Sequence, residues 1–224
     1  MMGKIVLVPT PLGNLEDMTY RAVRVLREST LILAEDTRTT GVLLKHYGIE
    51  TRMRAYHQHN EHHDTNRILE GIQDGEVYAL VTDAGTPGIS DPGFMLVRAA
   101  LEKGLAVECL PGPAAFVPAL VASGLPCDRF HFEGFLPHKK GRQTRIRELA
   151  DQQHTVVLYE SPHRVLRTLT QFAEHVEEGR RCVVARELTK IYEEYVRGTI
   201  RELIVYYTDR EVKGEIVMMI SGKA

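Results

Sequence analysis

The stretch VTDAGTPGISDPGF, Val81–Phe94, decides how this sequence folds. It follows the apolar run VYAL, and its last residue begins the helical pattern FMLVRAALEKG, so it joins a strand to a helix. Three glycines and two prolines make it a turn-rich loop. It lacks the lysine and adjacent hydroxyl of a phosphate-binding P-loop, so a ligand held there is expected to have no phosphates to bind.

The same alternation of strand and helix recurs through the first half of the chain. The apolar runs KIVLVP, LILAED, VYALVT and AVECLP are each followed by a helical pattern. Strands that alternate with helices are typical of a parallel sheet with crossover helices on its faces. The sequence therefore predicts an α/β fold whose N-terminal sheet is mostly parallel.

The proline- and glycine-rich segment LPGPAA, Leu110–Ala115, marks a change in this pattern. We place a domain boundary there, with an N-terminal α/β domain at 1–113 and a C-terminal α/β domain at 114–224. Strands are more frequent in the second half, which predicts a mixed sheet with helices. Residues 1–113 carry 11 Lys and Arg against 15 Asp and Glu, and residues 114–224 carry 17 against 15. Any contact with nucleic acid is therefore expected in the second domain.

Composition excludes several classes of protein. The chain has 224 residues, 43% of them hydrophobic, and no apolar run approaches the roughly 20 residues of a membrane span. The three cysteines are widely spaced and odd in number, which favours reduced thiols over disulfides. We expect a cytoplasmic protein without a membrane partner.

Two loops are expected to form the edge of a binding cleft. VPTPLGNLED, Val8–Asp17, follows the first strand, and the loop from Val81 follows a later strand of the same sheet. Ligands of open α/β sheets bind beyond the carboxyl ends of the strands, so both loops and LPGPAA should face one crevice. Backbone groups at Gly85 and Gly88 can hydrogen-bond an adenine edge, and Asp83 can accept from a hydroxyl or an ammonium group. A simple connecting turn explains a loop of this composition about as well.

Several long motifs, in this order, resemble one known family. They are PTPLGNLEDMTYRAVRVL, LAEDTRTTGVLLKHYGI, VTDAGTPGISDPGF, LPGPAAFVPALVASGLP, FEGFLPHKKGR, YESPHR, VARELTK, EEYVRGT and KGEIV. Together they resemble the 16S rRNA cytidine 2′-O-methyltransferases of the tetrapyrrole methylase superfamily, over nearly the whole chain. The first loop, TPLGN, differs from the GxGPG-like loop of members that methylate tetrapyrroles, which favours the rRNA branch.

The resemblance implies a mechanism and a set of contacts. It implies S-adenosylmethionine between two α/β domains, a homodimer, and 16S rRNA as partner, in the small ribosomal subunit. The expected reaction is 2′-O-methylation of a cytidine in the decoding region. The implied cofactor-binding residues are Leu12, Asp83, Thr86, Ala114, Ala115, Tyr159, Lys213 and Gly214.

A basic stretch, PHKKGRQTRIRELA, is the expected RNA contact. Helical spacing places Arg142 and Arg145 on one face, with Lys139 and Lys140 just before them. A solvated helix face is the usual reading of such a run. The resemblance favours the phosphate backbone of RNA for these four residues.

Two polar segments supply candidates for the general base. Asp36 lies in AEDTR, at the end of an apolar strand, where Asp36 or Thr37 could equally be a helix N-cap. His57 lies in YHQHNEHH, which we read as a substrate-facing loop that includes Asn60 and Glu61. This run lacks the frame of a zinc site, so no metal is expected. A ribose 2′-hydroxyl needs a base within hydrogen-bond reach, and Asp36 and His57 are the candidates.

Other functions remain open. A methyltransferase acting on a tetrapyrrole or another small molecule would not need the basic stretch. A non-catalytic RNA-binding module of the same fold would transfer no methyl group. A nucleotide phosphotransferase is disfavoured because the phosphate loop is missing.

Overall fold

A computed structural model describes residues 3–223, which divide into two compact units, one ending at Ala114 and the other beginning at Ala115. The division falls inside the segment Leu110–Ala115, one residue after the boundary expected from the sequence.

The first unit is a five-stranded sheet in which every strand pair is parallel. The strand order is β3-β2-β4-β1-β5. The strands are β1 (Lys4–Leu7), β2 (Leu31–Ala34), β3 (Met53–Ala55), β4 (Val77–Val81) and β5 (Ala106–Cys109). The helices are α1 (Tyr20–Glu28), α2 (Thr37–His46), α3 (Glu61–Glu70) and α4 (Phe94–Glu102), with a 3-10 turn at Leu15–Asp17.

Both faces of this sheet are covered by helices, as a parallel sheet requires. Successive residues of a strand point to opposite faces. Val6 therefore packs with Leu26 of α1 and Leu44 of α2 on one face. Ile5 packs with Leu96 of α4 on the other face.

The second unit holds a mixed sheet of five strands in the order β6-β7-β10-β8-β9. Only β6 and β7 pair in parallel, and the other three pairs are antiparallel. The strands are β6 (Phe130–Phe135), β7 (Thr155–Glu160), β8 (Arg181–Arg186), β9 (Glu194–Thr199) and β10 (Ile216–Ile220). The helices are α5 (Phe116–Ser123), α6 (Arg142–Ala150), α7 (Val165–Ala173) and α8 (Ile200–Thr208), with a 3-10 turn at Pro162–Arg164.

Helices also cover both faces of the mixed sheet. Ile146 of α6, Leu169 of α7 and Leu203 of α8 pack on one face, and Leu120 of α5 packs on the other. The expected α/β class, with a parallel N-terminal and a mixed C-terminal sheet, is confirmed.

Candidate functional site

The first loop and the glycine-proline loop are joined by backbone hydrogen bonds at the carboxyl edge of the first sheet. The N–H of Thr10 donates to the carbonyl of Gly85 at 2.9 Å, and the N–H of Gly85 donates back at 3.0 Å. The Thr10 hydroxyl donates to the carbonyl of Thr82 at 3.0 Å and is buried. Residues far apart in sequence are thus held in a fixed register.

The segment before Ala115 is held against both of these loops. The Thr86 hydroxyl donates to the carbonyl of Pro113 at 2.7 Å. A Cβ on Gly112 would lie 2.6 Å from the Cβ of Pro9, so only glycine allows this approach. Leu12 is 8% exposed, and a Cβ added to Gly85 would lie 3.3 Å from the Leu12 side chain. The three segments predicted from the sequence therefore meet, and they bring Leu12 and Thr86 close to Pro113, the residue before Ala114.

An acidic group lies beside these loops, where β2 and β4 end. The Thr82 hydroxyl donates to the Glu35 carboxylate at 2.6 Å, and the Asp83 N–H approaches the same oxygen at 3.4 Å. Asp83 itself is exposed. Partial desolvation of its carboxyl raises the pKa of Asp83, and the charges of Glu35 and Asp36 raise it further.

Asp36 is the N-cap of α2, as one reading of AEDTR predicted. Its carboxylate accepts from the Arg38 N–H at 2.8 Å and from the Arg38 guanidinium at 2.6 Å. The hydrogen bonds from Arg38 lower the pKa of Asp36 to about 2. A carboxylate with so low a pKa is a weak proton acceptor near neutral pH.

His57 lies just beyond β3, also at the carboxyl edge of the sheet. Its N–H donates to the Asn60 side chain at 2.8 Å, which fixes the turn. The Nδ1 atom of its ring is buried and has no hydrogen-bond partner among residues 3–223. Asp36 and His57 follow β2 and β3, which are neighbours in the sheet.

The histidine-rich run is only partly a loop. The loop prediction is wrong from Glu61 onward, because α3 begins there and includes His62 and His63. The part of the chain that the structure describes contains no group of three side chains placed to hold a metal ion. It also contains no helix long and apolar enough to cross a membrane.

The four remaining predicted cofactor residues lie in the second unit. Ala115 is the N-cap of α5. Tyr159 lies one residue before the end of β7, and its ring packs against Phe132 with ring centroids 5.2 Å apart. Lys213 and Gly214 precede β10, whose first residue is in register with Glu160. Tyr159 and the Lys213–Gly214 segment therefore lie near the same edge of the mixed sheet.

The Glu187 side chain packs against Gly214 of this segment, and the sequence analysis did not identify Glu187 as part of the site. Gly214 has a φ of +89°, and an added Cβ would lie 2.4 Å from the Glu187 side chain. The Glu187 carboxylate accepts from the Glu215 N–H at 2.9 Å and from Lys190 at 2.9 Å. These bonds hold Glu187 in a strained left-handed conformation with φ 51°. No local pattern in VARELTK announces a contact with a residue 27 positions later.

The prediction that Arg142 contacts RNA is wrong. Its side chain is 2% exposed, and its guanidinium donates to Gln171 at 2.9 Å, Glu160 at 3.2 Å and Thr168 at 2.6 Å. The Arg142 guanidinium is therefore part of the core, because a buried carboxylate on β7 provides its counter-charge.

The other three predicted RNA-contacting residues differ in whether carboxylates already neutralise their charges. Arg145 is bound to Glu133 and, at 2.8 Å, to Glu148. These carboxylates raise the pKa of Arg145 and already neutralise its charge. Lys139 and Lys140 are exposed. No ion pair within residues 3–223 involves either lysine.

Comparison with known proteins identifies the family and the fold. Residues 4–204 match the model of a family described as Tetrapyrrole (Corrin/Porphyrin) Methylases. The fold also resembles a uroporphyrin-III C-methyl transferase from Thermus thermophilus solved in complex with S-adenyl homocysteine, with a TM-score of 0.68, 21% identity, and coverage of 98% of this chain and 97% of that one. A cobalt precorrin-4 methyltransferase gives a TM-score of 0.66 at 18% identity, covering 99% and 95% of the two chains. The fold and the family match define a methyltransferase of the tetrapyrrole methylase class.

Closer relatives refine this placement. A protein of Synechocystis sp. is 50% identical over 99% of this chain and 80% of its own length. Proteins of Escherichia coli O157:H7 and Thermotoga maritima are 47% and 42% identical, over 98% and 99% of this chain and 78% and 100% of their own. All three are named ribosomal RNA small subunit methyltransferase I. The chain belongs to this methyltransferase family within the tetrapyrrole methylases, which confirms the resemblance seen in the motifs.

Proposed function

We propose that this protein transfers a methyl group from S-adenosylmethionine to the 2′-oxygen of a cytidine in the decoding region of 16S rRNA. One observation carries the proposal: near full-length identity of 42–50% to proteins named ribosomal RNA small subunit methyltransferase I. The S-adenyl homocysteine bound to a neighbour of the same fold supports the choice of donor.

The described residues fit such a donor. S-adenosylmethionine has an adenosine and a methionine portion and supplies a methyl group on a positively charged sulfur. The joined loops at Thr10 and Gly85 lack a phosphate-binding motif, which suits a ligand without phosphate. The exposed Asp83 carboxylate can accept from an ammonium or a ribose hydroxyl. We propose that Leu12, Thr86 and Ala114 in the first unit, and Ala115, Tyr159, Lys213 and Gly214 in the second, complete the site.

We propose His57, rather than Asp36, as the general base. The 2′-hydroxyl must lose its proton as the new C–O bond forms. Asp36 is poorly suited because Arg38 binds its carboxylate and lowers its pKa to about 2. His57 has a ring nitrogen with no hydrogen-bond partner among the described residues. This Nδ1 is buried in the free protein, so the role requires that RNA binding exposes it to the 2′-hydroxyl.

We further propose that Lys139 and Lys140 contact the RNA backbone and that the protein acts as a homodimer. Both lysines are exposed, and none of the described ion pairs uses them. The dimer is what the resemblance to the family implies. The molar mass in solution, from light scattering, tests the dimer.

The proposed activity is tested with labelled S-adenosylmethionine and 30S particles from cells that lack their own enzyme. We expect label on the ribose of one cytidine of 16S rRNA, and the Asp83→Ala variant serves as the control with weakened donor binding. Label on a base would contradict the 2′-O assignment. Absence of label from RNA would favour the non-catalytic RNA-binding module.

The runner-up, a methyltransferase for a tetrapyrrole or another small molecule, makes a different prediction. Its activity would be unaffected by the double change Lys139→Gln and Lys140→Gln, because a small acceptor needs no backbone contact. For an rRNA acceptor the same change should raise KM for the particles and leave donor affinity unchanged.

A further inference from the structure

Exposed basic side chains gather on two segments of the second unit that lie side by side. One is the loop at 137–141, after β6, which carries His138, Lys139 and Lys140. The other is the 3-10 turn at Pro162–Arg164 together with the start of α7, where His163 of the turn and Arg167 of the helix are exposed. Arg164 joins them, because its guanidinium lies 2.7 Å from Nδ1 of His138.

A buried ion cluster holds these two segments together from beneath. Glu160 is fully buried and is bound by Arg142 at 3.2 Å and Arg164 at 2.8 Å. Arg142 also donates to the carbonyl of Pro137 at 3.3 Å, which ties the loop to the cluster. Two arginines face one carboxylate, so the cluster keeps a net positive charge.

The exposed lysines and Arg167 above this cluster are not paired with any carboxylate of the described residues. Within residues 3–223, no ion pair involves Lys139, Lys140 or Arg167. The first turn of α7 contains no acidic residue, and its amino end adds a partial positive charge. By contrast, Arg145 on α6 is bound to two glutamates. Exposed, unneutralised cations on a rigid support are what a polyanionic backbone requires.

We propose that Lys139, Lys140, His163 and Arg167 form one binding surface for the phosphate backbone of RNA. This surface runs from the loop after β6 to the start of α7, and it does not follow α6. Arg142 and Glu160 are positioning residues that hold the two segments without touching RNA. The inference rests on the proposed function, since it names where the RNA substrate of that reaction is held.

Salt dependence of RNA binding tests this surface. The slope of log affinity against log salt concentration is measured for a 16S rRNA fragment and for an unrelated single-stranded RNA of equal length. We expect Arg167→Gln and Lys140→Gln each to reduce the slope by about 0.7 for both RNAs, the value for one lost phosphate contact on a single strand. Unchanged donor affinity and thermal melting show that each variant is folded.

Arg129→Gln is the matched control. Arg129 is exposed in the same unit, but it precedes β6, about 20 Å from the loop at the other end of this six-residue strand. The salt-dependence slope of Arg129→Gln should equal that of the wild type. An unchanged slope for Arg167→Gln, or an equal loss for Arg129→Gln, overturns the surface.

Methyl transfer to RNA is scored separately, so that the two proposals fail independently. Transfer by the wild type, together with an unaltered slope in Arg167→Gln, overturns this surface and leaves the proposed function standing. A reduced slope without any transfer supports the surface and overturns the proposed reaction.

Discussion

At the scale of single residues, the raised pKa of Asp83 predicts that donor binding depends on pH. Partial desolvation and the nearby Glu35 and Asp36 raise its pKa above the ordinary value of 3.8, so it takes up a proton at a higher pH than a free carboxyl group. Only the ionised form attracts an ammonium group. We therefore expect the affinity for S-adenosylmethionine to fall as the pH is lowered from about 7 to about 4, where carboxyl groups protonate.

Asp83→Asn should lower the affinity at neutral pH by about tenfold or more, the usual cost of losing a charged hydrogen bond. It should also remove most of the pH dependence. Calorimetric titration at several pH values measures both effects. A variant with the same pH dependence as the wild type would show that another group is responsible.

Two buried tyrosines allow a second prediction at this scale. The Tyr207 hydroxyl is buried without a hydrogen-bond partner in the described chain, whereas the hydroxyl of the fully buried Tyr56 lies 2.9 Å from that of Thr65. An unsatisfied buried hydroxyl costs free energy, and a satisfied one contributes about 1 kcal/mol. Tyr207→Phe should leave the free energy of unfolding unchanged or raise it by about 1 kcal/mol, and Tyr56→Phe should lower it by a similar amount. Urea denaturation measures the free energy of unfolding of each variant. Equal losses in both variants would contradict the conclusion that only the Tyr56 hydroxyl is hydrogen-bonded.

At the scale of secondary-structure elements, Arg142 joins the start of α6 to β7 and α7. Removing one partner of a buried ion pair leaves the other charge uncompensated, which costs about 3–5 kcal/mol. We therefore expect Arg142→Met to lower the free energy of unfolding by about that amount, measured by urea denaturation. Arg147→Met is the control, because Arg147 is exposed on the same helix and its loss should change stability by less than about 0.5 kcal/mol. Equal effects would mean that the Glu160 cluster contributes little.

The elements also show how far sequence reasoning reaches. The alternation of apolar runs and helical patterns predicted the parallel first sheet, because a sheet covered on both faces leaves a strong local pattern. The turn-rich loops after β1 and β4 were predicted to share one edge, since all strands of such a sheet end there. The burial of Arg142 left no local signal, because its counter-charge, Glu160, lies 18 residues later on β7. Its neighbours Lys139, Lys140 and Arg145 made the whole run appear solvated.

Spacing misled the prediction for α6 in a second way. Arg142 and Arg145 are three residues apart, which places them near one another on a helix surface. Such spacing does not say whether that face meets solvent or the core. Arg142 points to α7 and β7, and Arg145 binds Glu133 of β6. The exposed cations therefore lie at 139–140 and on α7, which was not among the predicted RNA contacts.

At the scale of the whole molecule, the proposed donor contacts are divided between the two units. Leu12, Asp83, Thr86 and Ala114 belong to the first unit, and Ala115, Tyr159, Lys213 and Gly214 belong to the second. If the donor uses both sets, its binding must stabilise backbone in both units, since a ligand stabilises the segments that it orders. The location of the stabilised backbone therefore distinguishes a donor site shared by both units from a site within one unit.

Hydrogen exchange with and without S-adenosylmethionine measures this directly. We expect slower exchange in residues 8–17 and 81–94 of the first unit and in residues 213–216 of the second, because these segments carry the proposed contacts. Residues 61–70, in α3, carry none of them and should exchange at an unchanged rate. S-adenosylhomocysteine should give the same pattern if the shared adenosine and amino-acid portions provide the contacts. Protection confined to the first unit would remove Tyr159, Lys213 and Gly214 from the site, since a donor held by one unit alone orders no backbone in the other.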